Sequence, residues 1–169
     1  PFSLIAIIFL PLPAIESITY IIVSVFIHQG YQWFLLKSYE IGDLTKVYPI
    51  ARGSGPLLAT IISILFLGVV FDKLMLLSIL LICIGIIILG ILDINKQNLK
   101  VIKYSLFTGV FIGTYSLIDG YGARISNSAI SFISWSFAIN AFIFPFALKL
   151  RGEKNIVSRV YVEGKRIFF

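Results

Sequence analysis

"GDLTKVYPIARGSGPLLATIISILFLG" runs from Gly42 to Gly68. From Leu57 onward it is greasy enough to enter a bilayer, yet Pro49, Arg52, Gly53, Gly55 and Pro56 crowd its first half. Proline has no amide hydrogen, so Pro56 disturbs the helical ladder at Arg52, and Pro49 removes a bond about two turns earlier. Gly53 and Gly55 weaken a helix further through their backbone entropy. The stretch therefore predicts a helix proper that starts near Gly55, within a spanning window of about 47–71. Two readings of that start stay open. In one, Pro49, Gly53, Gly55 and Pro56 form a break or hinge at membrane depth. Its free N–H groups would then join Arg52 in attracting a carboxylate or phosphate. In the other, 43–49 is a surface turn and Pro56 sits in a first turn, where proline is welcome.

The rest of the chain supports a membrane setting. Of 169 residues, 59% are hydrophobic and 13% charged, against about half and about a quarter in soluble domains. Mean hydropathy is +1.00. A single soluble core could not hide this much apolar surface, so a polytopic membrane protein is the simplest class. The net charge of +6 sits between apolar blocks, as loops near anionic headgroups require. No basic stripe is interleaved with aromatics, which argues against nucleic acid. Cys83 is the lone cysteine and lies in an apolar run, with no disulfide partner and no metal-ligand spacing.

Six windows emerge: a short one over 1–12, then about 17–36, 47–71, 74–92, 101–122 and 127–148. Short links such as Phe71–Lys73 and Asp93–Lys100 make neighbouring helices antiparallel. The tail from Lys149 is basic, with Arg151, Lys154, Arg159, Lys165 and Arg166. The chain opens inside an apolar block and stops at "KRIFF", which reads as a piece of a longer protein. Alternation puts Lys37, Lys46, Arg52, Lys96, Lys100, Lys103 and the tail cations at one end, with Lys73 and Arg124 at the other. The positive-inside rule places the crowded end in the cytoplasm.

Polar residues inside spanning helices are costly and face the bundle or a cavity. In the second window Ser17, Tyr20, Ser24, His28, Tyr31 and Gln32 recur at helical spacing, as a hydrogen-bond seam or the lining of a solute pathway. His28 is either a structural residue or a proton relay. In the fifth window Gly109, Gly113, Ser116 and Gly120 make a small-residue packing face. Beside it lie Ser105, Thr108, Tyr115 and Asp119. Asp119 is either a headgroup-level carboxylate paired with Arg124 or a cavity carboxylate that binds an amine or carries a proton. In the sixth window Trp135 sits too deep for an interfacial belt and is a candidate to pack on a ligand; Asn140 is a candidate interhelical bond. No paired-carboxylate motif, His/Cys cluster, G-x-S-x-G or P-loop is present, which argues against an enzyme.

The run Gly42, Asp43, Leu44, Thr45, Tyr48, Pro49, Ile50, Ala51, Arg52, Gly53, closing on Leu67 and Gly68, resembles the EamA-type drug/metabolite transporter superfamily. Val69 departs from it, standing where the family often has Glu. "TGVFIGTYSLIDGYGARIS" (108–126), with Tyr115, Asp119, Gly120, Gly122 and Arg124, resembles the first helix of that family's second repeat. The stretch 11–43, with His28 and Tyr39, fits the approach to its third helix. The resemblance implies an all-α, polytopic transmembrane bundle of ten helices in two inverted five-helix repeats. Residues 1–92 would be the rest of the first repeat (helices two to five). Residues 93–169 would start the second (helices six and seven with a basic loop). It also implies both termini in the cytoplasm, opposite to the cation count, so orientation stays open.

The implied function is secondary-active export or exchange of a small organic solute, such as an amino acid, by alternating access in the plasma or inner membrane. The expected partners are that solute, the lipid bilayer and a coupling proton or exchanged solute, with no cofactor, metal or nucleic acid. The expected cavity lining is His28, Gln32, Tyr48, Arg52, Tyr115, Asp119 and Trp135. The alternative is a membrane-embedded flippase or enzyme acting on polyprenyl or sugar lipids.

Overall fold

The computed structural model of the chain describes residues 2–91 and 99–150, and every element there is helical. In order these are α1 (Phe2–Phe9), α2 (Ile15–Ile41), α3 (Leu44–Leu67), α4 (Lys73–Ile91), α5 (Leu99–Ile125) and α6 (Ala129–Leu150). The expected boundary at 92/93 and the basic tail beyond Leu150 lie outside the described residues.

Local chemistry sets most of the ends. Pro11 and Pro13 stop α1. The Ser17 hydroxyl and amide both donate to the Ala14 carbonyl (2.7 and 2.9 Å) as α2 starts. Gly42 leaves α2 in an extended conformation and Asp43 holds the N-cap position of α3, its carbonyl accepting from the Lys46 and Val47 amides at 3.0 Å, so this joint is two residues long. Gly68 closes α3 in the left-handed region (φ 62°), with the Val69 amide donating to the Ser63 carbonyl at 3.1 Å. Asp72 caps α4 by accepting from the Leu74 amide at 3.2 Å. Between α5 and α6 Asn127 takes φ 59°, and the Ser128 hydroxyl accepts from the Ser131 amide at 3.2 Å.

α5 is the axis of the bundle. Its largest interfaces are with α3 on one side and α2 on the other; α6 packs on α2 and α1, and α4 packs on α3. α2 and α3, although joined by two residues, barely touch. Among the described residues three helices, α3, α5 and α6, are long and apolar enough to cross a membrane, fewer than the five full windows expected. Large apolar side chains such as Phe9, Phe26, Phe66, Leu74, Leu81 and Phe142 point outward, as they do in a protein solvated by lipid. The described cations Lys37, Lys46, Arg52, Lys100, Lys103 and Lys149 gather toward the end holding the α2–α3 joint, and Lys73 and Arg124 lie at the other.

The opening stretch behaves differently from its sequence expectation. α3 starts at Leu44 and runs unbroken through Pro49, Gly53, Gly55 and Pro56. There is no helix start at Gly55, and the surface turn over 43–49 is absent as well. The reason is tertiary. Gly53, Ser54 and Gly55 are buried. A Cβ at Gly53 would meet the Ile87 side chain at 2.9 Å on α4, and one at Gly55 would meet Ile112 at 2.6 Å on α5. The small residues let two helices press against α3. Neighbouring helices tolerate proline in membrane spans by resupplying what the ladder loses. Two hydroxyls donate back within the helix, Ser54 to the Ile50 carbonyl (2.7 Å) and Thr60 to the Pro56 carbonyl (2.9 Å), while the carbonyls the prolines leave free are those of Thr45 and Arg52.

On α5 the same close approach occurs at Gly109 and Gly113. A Cβ at Gly113 would lie 2.9 Å from the Ala59 amide nitrogen and 3.0 Å from the Gly55 carbonyl oxygen, both backbone atoms that cannot yield. Gly120 does not belong to this seam, contrary to expectation: nothing lies within 4 Å of a Cβ placed there. By that level α3 presents an exposed stretch from Ile64 to its end at Leu67, so the two helices have diverged. Gly122 packs instead, against Phe132 of α6 and Tyr20 of α2.

Candidate functional site

His28 is the middle residue of the 27-residue α2 and is 6% exposed. Its ring is fixed on every side. It stacks on Tyr115 of α5 (centroids 4.0 Å apart, 30° between planes) and meets Tyr31 and Phe137 edge-on, each at 6.3 Å. Nδ1 lies 2.9 Å from the Ser24 carbonyl oxygen and 3.2 Å from the Ser24 hydroxyl, one turn back on α2. A carbonyl only accepts, so Nδ1 carries the hydrogen. Nε2 then faces Asp119 Oδ2 at 3.9 Å.

Asp119 is therefore turned into the bundle. It pairs with His28 and not with Arg124, which excludes the headgroup-level reading. Its side chain is 26% exposed, and the Ser24 hydroxyl lies beside it. Its other oxygen, Oδ1, is buried with no hydrogen-bond partner. Gln32, one turn beyond His28, also carries an unpartnered buried oxygen, Oε1. Native proteins leave few such atoms, because each costs about 1–3 kcal/mol.

Arg52 approaches from α3. It is exposed, as is Tyr48 (50%). Its guanidinium lies over the Tyr48 ring, 5.4 Å from the centroid, a cation–π placement. It is within electrostatic reach of the Tyr39 and Tyr115 hydroxyls. Arg52 thus faces the same side of the bundle as the His28 cluster without touching it. The expected anion cradle of free backbone N–H groups beside Arg52 is absent, because α3 is already helical there and spends those groups on its own ladder.

Trp135 is elsewhere. It lines an apolar groove of about 290 Å³ with Leu12, Pro13, Ile15, Ile18, Ile22 and Ile139. It also packs on the core of Ile21, Val25 and Phe132. On α6 it is two residues from Phe137, so their side chains point to roughly opposite sides. Phe137, not Trp135, is the α6 residue that reaches His28. Asn140 does form an interhelical bond: its Oδ1 accepts from Gln29 Nε2 at 2.8 Å.

Of the expected lining residues, the fold brings His28, Tyr115 and Asp119 into contact. It keeps Gln32 on the same helix face, sets Tyr48 and Arg52 alongside, and removes Trp135. Ser24 and Tyr31 enter the sequence reading only as members of the α2 polar stripe, through their helical spacing to His28; Phe137 left no signal in the sequence. Set against known protein families, curated proteins and solved structures, the chain matches none.

Proposed function

We propose that this chain is part of a secondary-active, multi-pass transporter of a small organic solute in the plasma or inner membrane. One observation carries the reading. At the midpoint of α2, in a bundle whose outer surface is apolar, polar groups from two helices converge and two of their buried atoms are left open, Asp119 Oδ1 and Gln32 Oε1. Polar groups at that depth are expensive unless they serve a passing ligand. Tyr31 and Tyr115 supply rings for an organic body, Asp119 a negative end and Arg52 a positive one. The Gly42–Gly68 run supports an EamA-type architecture of two inverted repeats around a midplane site, with this chain supplying helices two to seven.

The test is a liposome flux screen of the full-length protein loaded with mixed metabolites at two pH values. Flux of at least one solute is expected, reduced about tenfold or more in the Arg52→Ala plus Asp119→Ala double variant, as loss of hydrogen bonds to charged groups implies. Wild-type flux from that variant would sink the proposal. The apolar groove beside Trp135 favours a second reading, translocation of a polyprenyl or sugar lipid. It predicts lipid scrambling in the same vesicles, sensitive to Trp135→Ala and indifferent to Asp119→Ala.

A further inference from the structure

We propose that His28 and Asp119 form a one-proton site, binding a single proton between Nε2 and Oδ2 and releasing it as a unit. The tautomer is the starting point. The Ser24 carbonyl holds the hydrogen on Nδ1, so the neutral ring presents a bare lone pair on Nε2 to the carboxylate 3.9 Å away. With no proton between them, a lone pair faces a carboxylate, and the ring cannot turn aside because Tyr115, Tyr31 and Phe137 enclose it. With one proton, on either atom, the contact becomes an ion pair or a neutral hydrogen bond. With two, the imidazolium loses its counter-charge. At low local dielectric these differences are large, so the one-proton state dominates and the pair gains its protons in two separated steps that belong to neither residue alone.

The surroundings fit a site that loads and unloads. Ser24 is fully buried; with Nδ1–H pointing at its carbonyl, its hydroxyl is free to donate to Asp119. Oδ1 of Asp119 has no partner, and the partial exposure of that side chain makes it the open door of the pair. The titratable or charged groups facing the pair are Tyr31 from α2, Tyr115 from α5 and, through Tyr115, Arg52 from α3. From α6 the Phe137 ring meets His28 edge-on. Neither tyrosine changes charge as readily as an imidazole or a carboxylate, which leaves one exchangeable proton for the pair. Its use as the coupling ion rests on the transport reading; the proton site itself does not.

His28 is the one histidine of this chain, and in the ¹⁵N-histidine-labelled full-length protein its signals are assigned by their loss in His28→Gln. The full-length protein in lipid nanodiscs is titrated by NMR, with the carboxyl band followed in parallel by infrared. The expected result is an Nδ1–H tautomer at alkaline pH and protonation in two coupled steps, each of which moves both the imidazole signal and the carboxyl band. In Asp119→Asn the imidazole protonates in a single step, since its partner no longer takes a proton. Asp119→Glu restores the two coupled steps. An Nε2–H tautomer, or a wild-type imidazole and carboxyl that each move in one step without response to the other, overturns the proposal even if Asp119→Asn fails to fold. A wild-type midpoint that moves when sodium replaces choline also overturns it, by making the site a cation site. A failed flux screen leaves this result standing, and a failed titration leaves transport standing.

Discussion

The two sides of α5 solve opposite problems. Toward α3 it presents Gly109 and Gly113, and polar groups along this seam bond back within their own helices. Thr108 donates to the Tyr104 carbonyl at 2.8 Å, Ser116 to the Ile112 carbonyl at 2.7 Å, and Ser54 across the seam to the Ile50 carbonyl. Toward α2 it presents aromatic bulk, with Phe107 and Phe111 stacked on Phe34 at 5.2 and 5.3 Å. That side then ends in Tyr115 and Asp119, with a buried oxygen left open. The division is not absolute, since Ser105, Ser131 and Ser136 also hold unpartnered buried hydroxyls. The difference still separates scaffold from site. In lipid there is no hydrophobic force between helices, so a dry seam must come from close backbone approach and satisfied polar groups. A ligand site can leave groups unsatisfied because something else completes them.

The largest expected effect lies on the scaffold side. Gly113→Leu drives a side chain into the backbone of Ala59 and Gly55, and the detergent-solubilised protein should lose its monodisperse elution peak. The milder Gly113→Ala should cost about 1–3 kcal/mol, read as a lowered unfolding midpoint. Gly120→Ala, seven residues on, should be neutral or gain up to about 1 kcal/mol from helix propensity. Equal losses at both glycines would erase the distinction between them.

On the site side the order reverses: function falls while the fold stays. Asp119→Asn removes a charge that is only partly compensated, so thermal stability should hold or rise while solute flux drops about tenfold or more. A variant that loses stability in step with flux would move Asp119 to the scaffold. Asn140→Ala breaks the α2–α6 bond to Gln29, and the cost should be modest, about 0.6 kcal/mol and at most about 1.7, with flux retained. Smallest of all is Trp135→Phe. It keeps the ring in the apolar groove and should leave solute flux unchanged; a flux loss would return Trp135 to the ligand path.

Pro56 shows why the sequence misled at one place. Read alone, two prolines and two glycines within eight residues argue against a helix, because local propensity is all a linear pattern offers. The fold weighs them differently. Gly53 and Gly55 are the contact points for α4 and α5, and the packing they permit offsets two missing hydrogen bonds. Pro56→Ala should therefore raise the unfolding midpoint, by no more than about 1 kcal/mol given one added bond. Gly120 misled in the other direction. Its spacing from Gly113 suits one face, but the helices have diverged before they reach it.

What the sequence determined alone was the class and the places of the elements: an all-helical protein with helices long and apolar enough to cross a membrane, its six windows close to the six helices of the described residues. Apolar run length and helical spacing are local properties that survive without a partner. It also marked His28, Tyr115 and Asp119 as polar residues at depth, since such residues are conspicuous against an apolar background. What only the tertiary structure decided was who meets whom. The pairing of His28 with Asp119 across ninety residues, the replacement of Trp135 by Phe137, the trade of Gly120 for Gly122 and the unbroken course of α3 all depend on how helices cross. Crossing is set by the summed shape of two surfaces, and a single strand of residues carries only one of them.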